Sequence, residues 1–315
     1  MRIGLLLETF LDRTLEEVME LVEGRYPEIT DLEVGVGGFA PHPHCPVEEL
    51  LADPAACARW HESITSRGFR IPALNVSGNP LDPDPMKGGA HDRELRDAIR
   101  LAARLGIDRV VAMVGLPAAA SGDRAAHFDA GGWLPYLAGV YEQQWEHELR
   151  PYWLDLLEFA RREHPELLIC IELHPGTGAY NVETFGRFAE LGPNIAVNLD
   201  PSHLFWQGMD PLAVLEAVPR VGHAHAKDAV LNEGPLALNG LLDHRWTATD
   251  RDASWTFAAP GRGHDVEWWR AFLAALSARG VEVISIEHED PTLTAEEGVI
   301  EAVRVLTEAG AGARS

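Results

Sequence analysis

The chain has 315 residues, 46% of them hydrophobic, and its 26 basic against 49 acidic residues leave a formal net charge of −23. Such an acidic surface repels phosphate backbones and anionic lipid, so nucleic acid and membrane are not expected partners. No apolar stretch approaches the ~20 residues of a membrane span, and the N-terminus lacks a signal peptide's cationic start. Three widely spaced cysteines favour neither a disulfide framework nor a CxxC zinc site. We expect a soluble cytoplasmic protein.

Short apolar runs typical of strands alternate with helical patterns along the whole chain. The predicted strands are Ile3–Leu7, Asp31–Val36, Ile71–Val76, Arg109–Val114, Leu167–Leu173, Ile195–Leu199, Val221–Ala226 and Val281–Ile286. The predicted helices are Leu15–Val22, Val47–Arg67, Asp92–Leu105, Tyr136–Glu163, Val182–Leu191, Pro211–Val218, Asp265–Arg279 and Ala295–Glu308. Eight such units predict an α/β fold, a (β/α)8 TIM barrel that forms a single domain over residues 1–315. A doubly wound open sheet is the alternative, but no GxGxxG follows the first strand.

Two connections are long, and both follow strands, the fourth and the seventh. They cover residues 117–135, which include Trp133, and residues 230–263, which include Trp246 and Trp255. Long connections without obvious secondary structure are usually lids or binding loops, and loops after barrel strands lie at the C-terminal face, where active sites form. We therefore predict that both cover the substrate. Mobile decoration and an oligomer contact are the alternatives.

The ends of four consecutive strands carry ionisable side chains on the face opposite their apolar residues. Alternation puts Cys170, Glu172 and His174 on one face of the fifth strand, because successive side chains point to opposite sides. The corresponding residues of the next three strands are Asn198 and Asp200, then His223, His225 and Lys227, then Ser285, Glu287 and Glu289. Carboxylates brought together at a barrel mouth repel one another unless a cation holds them.

This pattern predicts one divalent metal ion bound by four residues, Glu172, Asp200, His225 and Glu287. Oxygen-rich ligation with one imidazole favours Mn²⁺, Mg²⁺ or Co²⁺, and zinc stays possible. Other interpretations remain open for each ligand. Either glutamate alone would be satisfied by an ion pair with Lys227, and Asp200 would serve as a helix cap. His223 is the alternative to His225.

Four of these motifs together resemble the xylose isomerase-like TIM-barrel superfamily, the sugar phosphate isomerase/epimerase group. The motifs are Ile-Glu-Leu-His-Pro at 171–175, Asn-Leu-Asp-Pro-Ser-His at 198–203, His-Ala-His-Ala-Lys-Asp at 223–228 and Ser-Ile-Glu-His-Glu-Asp at 285–290. Asn79-Pro-Leu, Gln144-Trp, Pro151-Tyr-Trp and Gly261-Arg-Gly-His are similar to segments of one branch of it. The resemblance covers essentially the whole chain.

The resemblance implies specific roles for the residues at the barrel mouth. In the ketose epimerases of the superfamily a Glu, Asp, His and Glu set binds Mn²⁺ or Co²⁺, which implies the same four ligands here, with Mn²⁺ first. The two glutamates also move the proton, and the His three residues after the Asp, here His203, contacts substrate. Further candidates that we take from the residues themselves are His147 as a catalytic group and His174, Lys227, Glu33 and His44 as substrate-binding groups.

The expected reaction is isomerisation or epimerisation of a sugar or keto-sugar by proton abstraction α to a carbonyl, through a metal-stabilised enediolate. The rival is a lyase of the same superfamily, either one that eliminates the aglycone of a 3-keto-glycoside, such as a C-glycoside deglycosidase α-subunit, or a keto-sugar dehydratase. A non-catalytic sugar-binding barrel is a third reading. The expected partners are a sugar or glycoside substrate and either further copies of the chain or a small second subunit.

Overall fold

The computed structural model describes residues 1–131, 133–242 and 253–312. Its strands are β1 (Arg2–Leu6), β2 (Ile29–Gly35), β3 (Leu74–Val76), β4 (Arg109–Ala112), β5 (Leu168–Glu172), β6 (Ile195–Leu199), β7 (Val221–Ala226), β8 (Asp228–Leu231), β9 (Trp255–Ala258) and β10 (Val283–Ile286). Eight of them close a parallel barrel in the order β1-β10-β7-β6-β5-β4-β3-β2, while β8 and β9 form a separate antiparallel pair. The predicted (β/α)8 barrel is confirmed.

Helices connect the barrel strands. They are α1 (Leu15–Arg25), α2 (Val47–Ala52), α3 (Pro54–Thr65), α4 (Pro85–Leu105), α5 (Val140–Gln144), α6 (Arg150–Glu163), α7 (Val182–Ala189), α8 (Pro201–Phe205), α9 (Pro211–Ala217), α10 (Glu233–Asn239), α11 (Val266–Ala278) and α12 (Ala295–Glu308). A 3-10 turn over Leu7–Phe10 follows β1, and a π-helical segment over Trp145–Leu149 joins α5 to α6. None of these helices is long and apolar enough to cross a membrane.

Three predicted helices differ clearly from the structure. The one predicted over Tyr136–Glu163 begins at Val140 and contains the π-helical segment. The other two differ because an Asp-Pro pair begins a helix. The helix predicted over Val47–Arg67 is two, since Asp53 caps α3 with its side chain and Pro54 takes the first helical position. The helix predicted from Asp92 begins at Pro85, behind the cap Asp84. In both places the Asp-Pro pair is the local signal for a helix start.

The barrel has two apolar regions that match the predicted facing of the fifth strand. Ile169 and Ile171 pack between the strands and the surrounding helices. Cys170 points to the barrel interior, where it packs with three small or branched residues, Ala73, Val111 and Ala196. A Cβ on Gly222 would lie 2.5 Å from the Cys170 sulfur, so the interior is filled to the point where only glycine fits. The polar side chains of the strand ends lie above this apolar floor.

The two long connections differ in structure. Within the described residues, 117–135 holds turns and one isolated bridge, between Ala118 and Ala126. The second connection was predicted to lack secondary structure, and this is wrong, because it contains α10 and the strand β9, which pairs with β8. Trp246 lies outside the described residues.

Candidate metal centre and substrate cavity

Four barrel strands place a ligand-type side chain at the C-terminal mouth. Glu172 ends β5, Asp200 follows β6, His225 lies in β7 and Glu287 follows β10. One ligand atom from each residue lies within 4.8 Å of the others. The structure therefore brings together the four residues that the sequence predicts as metal ligands.

The orientation of His225 suits a metal ligand because its second ring nitrogen already has a partner. Nε2 lies 3.0 Å from a carboxylate oxygen of Glu33, which is fully buried below it. Nδ1 faces the mouth, 2.9 Å from Glu287 Oε2 and 3.5 Å from Glu172 Oε2. A carboxylate behind the imidazole fixes the tautomer of metal-binding histidines in the same way. His223, the alternative ligand, points away from this group, with Nε2 2.7 Å from Glu33 and 3.1 Å from Ser285 Oγ.

The charge of this group fits a divalent cation. Two of its carboxylate oxygens, Asp200 Oδ2 and Glu287 Oε2, are buried and make no hydrogen bond of ordinary geometry within the described residues, although Lys227 Nζ lies 3.1 Å from the first and His225 Nδ1 2.9 Å from the second. Burial by itself would lower the pKa of His225, but Glu33 and Glu287 hold it well above its ordinary value. A proton on Nδ1 thus neutralises part of the negative charge in the metal-free protein. A divalent ion would replace that proton, since binding a metal to imidazole releases one.

Lys227 supplies a fixed positive charge beside the same carboxylates. Its side chain is buried, and its Nζ lies 3.1 Å from Asp200 Oδ2, 2.9 Å from Glu287 Oε1 and 2.9 Å from Glu289 Oε2. The alternatives considered for these residues were an ion pair with Lys227 for Glu287 and a helix cap for Asp200, and each is found at one oxygen of the carboxylate. Glu287 Oε1 pairs with Lys227, and Asp200 Oδ1 accepts a hydrogen bond from the amide of Ser202 at the start of α8.

We call the four residues Glu172, Asp200, His225 and Glu287 the donor group. A cavity of about 660 Å³ opens above it. Its polar part includes the side chains of six residues, Glu172, His174, His203, Lys227, Glu287 and Glu289. Its apolar part includes Phe39, Trp206, Trp255 and Phe257, and the rings of Trp206 and Trp255 stack at 4.4 Å. Trp255 and Phe257 come from β9, so the second long connection contributes part of the wall.

Besides the predicted metal ligands Asp200 and His225, three predicted catalytic or substrate-binding residues lie outside this cavity. Glu33 is below the donor group and contacts it through His225, while its other neighbour, His223, points away from the group. His44 is buried beside α1, with Nε2 3.0 Å from the carbonyl oxygen of Arg13, so a direct substrate contact by Glu33 or His44 has no support in this geometry. His147 is exposed on the π-helical segment and lines a separate surface cavity. Trp133 is 84% exposed.

The sequence prediction missed Glu8, which the 3-10 turn after β1 places in the cavity wall. Burial, and to a smaller extent the charges of Glu287 and Glu33, raise the pKa of Glu8 to about 8. The signal was present in the sequence, because Gly4, Leu6 and Glu8 follow the same alternation as the residues of the later strands.

Two buried amides were also given no role. Asn75 donates from Nδ2 to Glu33 at 2.9 Å, and Asn198 donates from Nδ2 to Glu172 Oε2 at 2.9 Å. Each amide restricts the rotation of a carboxylate that contacts His225. The donor group is thus held by neighbours on β3 and β6 as well as by its own strands.

Residues 32–309 match the xylose isomerase-like TIM barrel family. The chain belongs to this family. A protein of Bacillus subtilis named YfiH is 34% identical to it over 284 residues, which cover 88% of this chain and 90% of that protein. The resemblance inferred from the strand-end motifs is therefore confirmed at the level of the family.

Solved structures share the fold of this family member at low sequence identity. The probable 3-DHS dehydratase AsbF of Bacillus anthracis is 14% identical with a TM-score of 0.65, covering 98% of this chain and 99% of that one. The IolI protein with a bound zinc atom is 19% identical with a TM-score of 0.62, covering 98% of each. A D-psicose 3-epimerase studied with D-fructose is 14% identical with a TM-score of 0.60, covering 98% and 97%.

Proposed function

We propose that this protein is a divalent-metal-dependent isomerase or epimerase of a sugar or keto-sugar. One observation carries the proposal: of the four residues in the donor group, Glu172 and Glu287 line the cavity, whereas Asp200 and His225 do not. The strands β7 and β6 lie between β10 and β5 in the barrel, so the two glutamates approach the cavity from separate positions. Two carboxylates placed in this way suit proton transfer at the two faces of one carbon atom.

A divalent ion held by the four residues would bind neighbouring oxygens of the substrate and make its α-proton more acidic. One glutamate would accept that proton, and the other, which has to enter the step as a carboxylic acid, would donate its own proton to the opposite face, which inverts the configuration of the carbon. Lys227 donates hydrogen bonds and offsets negative charge that develops on the substrate oxygens. Three carboxylates and one imidazole favour Mn²⁺, with Mg²⁺, Co²⁺ or Zn²⁺ as alternatives.

A second candidate is a lyase, and the aromatic part of the cavity favours it. Beside the polar end, Phe39, Trp206, Trp255 and Phe257 offer space and ring surface for a second ring of a glycoside. In a 3-keto-glycoside, the same carboxylate would take the α-proton, the bond from the β-carbon to the aglycone would break, and the leaving atom would take a proton from a neighbouring acid. The dehydratase named among the solved structures supports this only at the level of the fold.

We also propose that exposed apolar side chains of this chain form a contact surface for a protein partner. Leu238 of α10 and the neighbouring Leu242 are 86% and 93% exposed, and Trp133 of the first long connection and Tyr136 directly after it are 84% and 77% exposed. Large exposed apolar side chains are typical of contact surfaces. Further copies of this chain or a small second subunit would cover them.

The deciding experiment is a screen of keto-sugars and 3-keto-glycosides with added Mn²⁺ that measures both sugar isomers and free aglycone. Isomer formation supports the leading proposal, and free aglycone supports the lyase. For the active substrate, Glu172→Gln and Glu287→Gln should each lower kcat at least 100-fold, because a carboxylate that transfers protons contributes about 10²–10⁴ in rate. His147→Gln is the matched control, since His147 is exposed outside the cavity. Unchanged turnover in both glutamate variants would contradict both candidates.

A further inference from the structure

His203 lies in the cavity wall without the hydrogen bonds that a buried imidazole normally needs. Its side chain is 2% exposed, and neither ring nitrogen makes a hydrogen bond within the described part of the chain. Nε2 nevertheless lies 3.3 Å from Glu172 Oε1 and 3.3 Å from Asp200 Oδ2. Leaving a buried polar group unpaired costs about 1–3 kcal/mol. A ligand that uses this nitrogen would remove the cost.

The 3.3 Å between His203 Nε2 and Glu172 Oε1 has the value expected of two ligands of one metal ion. Ligands at about 2.0–2.1 Å from a tetrahedral metal are about 3.3–3.4 Å from each other. Glu172 offers the oxygen for such an ion, because its two oxygens face different ways. Oε2 accepts a hydrogen bond from Asn198 and faces His225 Nδ1, whereas Oε1 faces His203 Nε2.

His174 provides the third donor. Its Nδ1 lies 2.6 Å from the carbonyl oxygen of Pro175, which identifies Nδ1 as the protonated nitrogen and leaves the lone pair on Nε2. The ring centre of His174 is 4.1 Å from that of His203. Glu172, His174 and His203 each place a ligand atom within 4.8 Å of the other two. This group is separate from the one formed with Asp200, His225 and Glu287, and only Glu172 belongs to both.

We propose that Glu172, His174 and His203 form a second divalent-cation site, joined to the first through the carboxylate of Glu172. Two imidazoles and one carboxylate favour Zn²⁺ or Co²⁺ over Mg²⁺ or Mn²⁺, so the second site differs in preference from the oxygen-rich first site. The side chains of all three ligands line the cavity. The second ion thus lies on the substrate side of the donor group, and His174 and His203 act as its ligands rather than as direct substrate contacts. This goes beyond the proposed function, which needs one ion.

The test is the number of Co²⁺ ions bound per chain, measured on untagged protein stripped with a chelator. Equilibrium dialysis against buffered Co²⁺ and elemental analysis give the stoichiometry, and the visible absorption of Co²⁺ reports imidazole ligation. We expect two ions in the wild-type protein, and one in His174→Gln and in His203→Asn. His147→Gln is the matched control and should keep two. Two variants are used so that a folding defect in one, seen by circular dichroism, leaves the other to decide.

The outcomes separate this proposal from the proposed function. Two ions in the wild-type protein that fall to one in both histidine variants support the second site. One ion in the wild-type protein and in both variants overturns it and leaves the four-ligand site standing. No bound ion in the wild-type protein overturns both sites, and loss of all metal in His174→Gln with its fold intact overturns the assignment of His174 to a separate site.

Discussion

The carboxylate of Glu172 shows how much the environment of one side chain depends on residues far from it in the sequence. Alternation along β5 predicted that Glu172 points into the barrel mouth, and it does. Its partners come from other strands, Asn198 on β6 and His225 on β7, and from His203 in α8. The strand pattern could predict the direction of the side chain, whereas the pairing of strands decided what meets each oxygen.

The position of Glu33 contradicts the substrate-binding role predicted for it. Its inward position was predicted from the second strand, and it was given a role in substrate binding. The structure buries it completely and pairs its oxygens with His223 and His225. Depth along the barrel axis made the difference, because the alternation of a strand distinguishes its two faces but carries no information on depth.

Glu8 gives a prediction about pH. A carboxyl pKa of about 8 in the folded protein, against an ordinary value of 4.5, means that the folded state keeps a proton that the unfolded state releases. Stability from this group is present below pH 4.5 and is lost as pH rises towards 8. In chelator-stripped protein, Glu8→Gln should match the wild-type protein at pH 5. At pH 8 the variant should be more stable, on the order of a few kcal/mol.

Denaturant unfolding at the two pH values measures this difference. Glu48→Gln serves as the control, because Glu48 is exposed in the first turn of α2, and it should follow the wild-type protein at both values. A Glu8 variant whose stability tracked the wild-type protein from pH 5 to pH 8 would show that Glu8 is already ionised in the folded chain.

At the scale of elements, the antiparallel pair β8–β9 is the main feature that the sequence prediction missed. Residues 228–231 pair with residues 255–258 across a long intervening segment, so no short turn motif marked a hairpin. Asp228 holds the chain after β9. Its Oδ2 accepts hydrogen bonds from the backbone amides of Gly261, Gly263 and His264, and its Oδ1 lies 2.7 Å from His264 Nδ1.

This arrangement explains one of the motifs noted in the sequence. In Gly261-Arg-Gly-His, a Cβ on Gly263 would lie 2.2 Å from the carbonyl oxygen of Ala229, so the close approach to β8 needs glycine. Gly261 has a φ of +95°, a conformation that glycine adopts without strain. The motif therefore serves to dock the end of the second long connection onto Asp228, next to the cavity wall.

Asp228→Ala should lower the free energy of unfolding by about 3 kcal/mol or more, because several amides around a buried side chain lose their acceptor. It should also raise KM, since β9 carries Trp255 and Phe257 into the cavity. Thermal or denaturant unfolding gives the first quantity and steady-state kinetics the second. Asp12→Ala, at an exposed position, should stay within about 0.5 kcal/mol of the wild-type protein. Equal stability of the two variants would remove this role from Asp228.

At the scale of the whole molecule, the donor group joins four neighbouring barrel strands from the C-terminal half of the chain. Its ligands follow or end β5, β6, β7 and β10, so a bound ion connects segments up to 115 residues apart in the sequence. Repulsion between buried carboxylates opposes folding when no ion is bound, and an ion that binds only the folded state stabilises it by mass action.

Addition of Mn²⁺ to chelator-stripped protein should therefore raise Tm by several degrees. A free ion concentration 100 times Kd corresponds to about 2.7 kcal/mol of stabilisation. Asp200→Asn should abolish most of this shift, and Asp210→Asn, at the cap of α9, should keep it. A full Mn²⁺-dependent shift in Asp200→Asn would exclude Asp200 as a ligand.

The sequence by itself predicted the barrel, the family and the four side chains that the structure brings together at the barrel mouth. The barrel follows from strand–helix alternation and the donor residues from the period of two that sets which side chains face inward, while the family follows from the resemblance of the four strand-end motifs. The tertiary structure decided the remainder: Glu33 below the cavity, His44 and His147 away from it, and β9 in its wall. These positions depend on strand register, on depth along the barrel and on pairing between distant segments. None of the three leaves a periodic trace in the sequence.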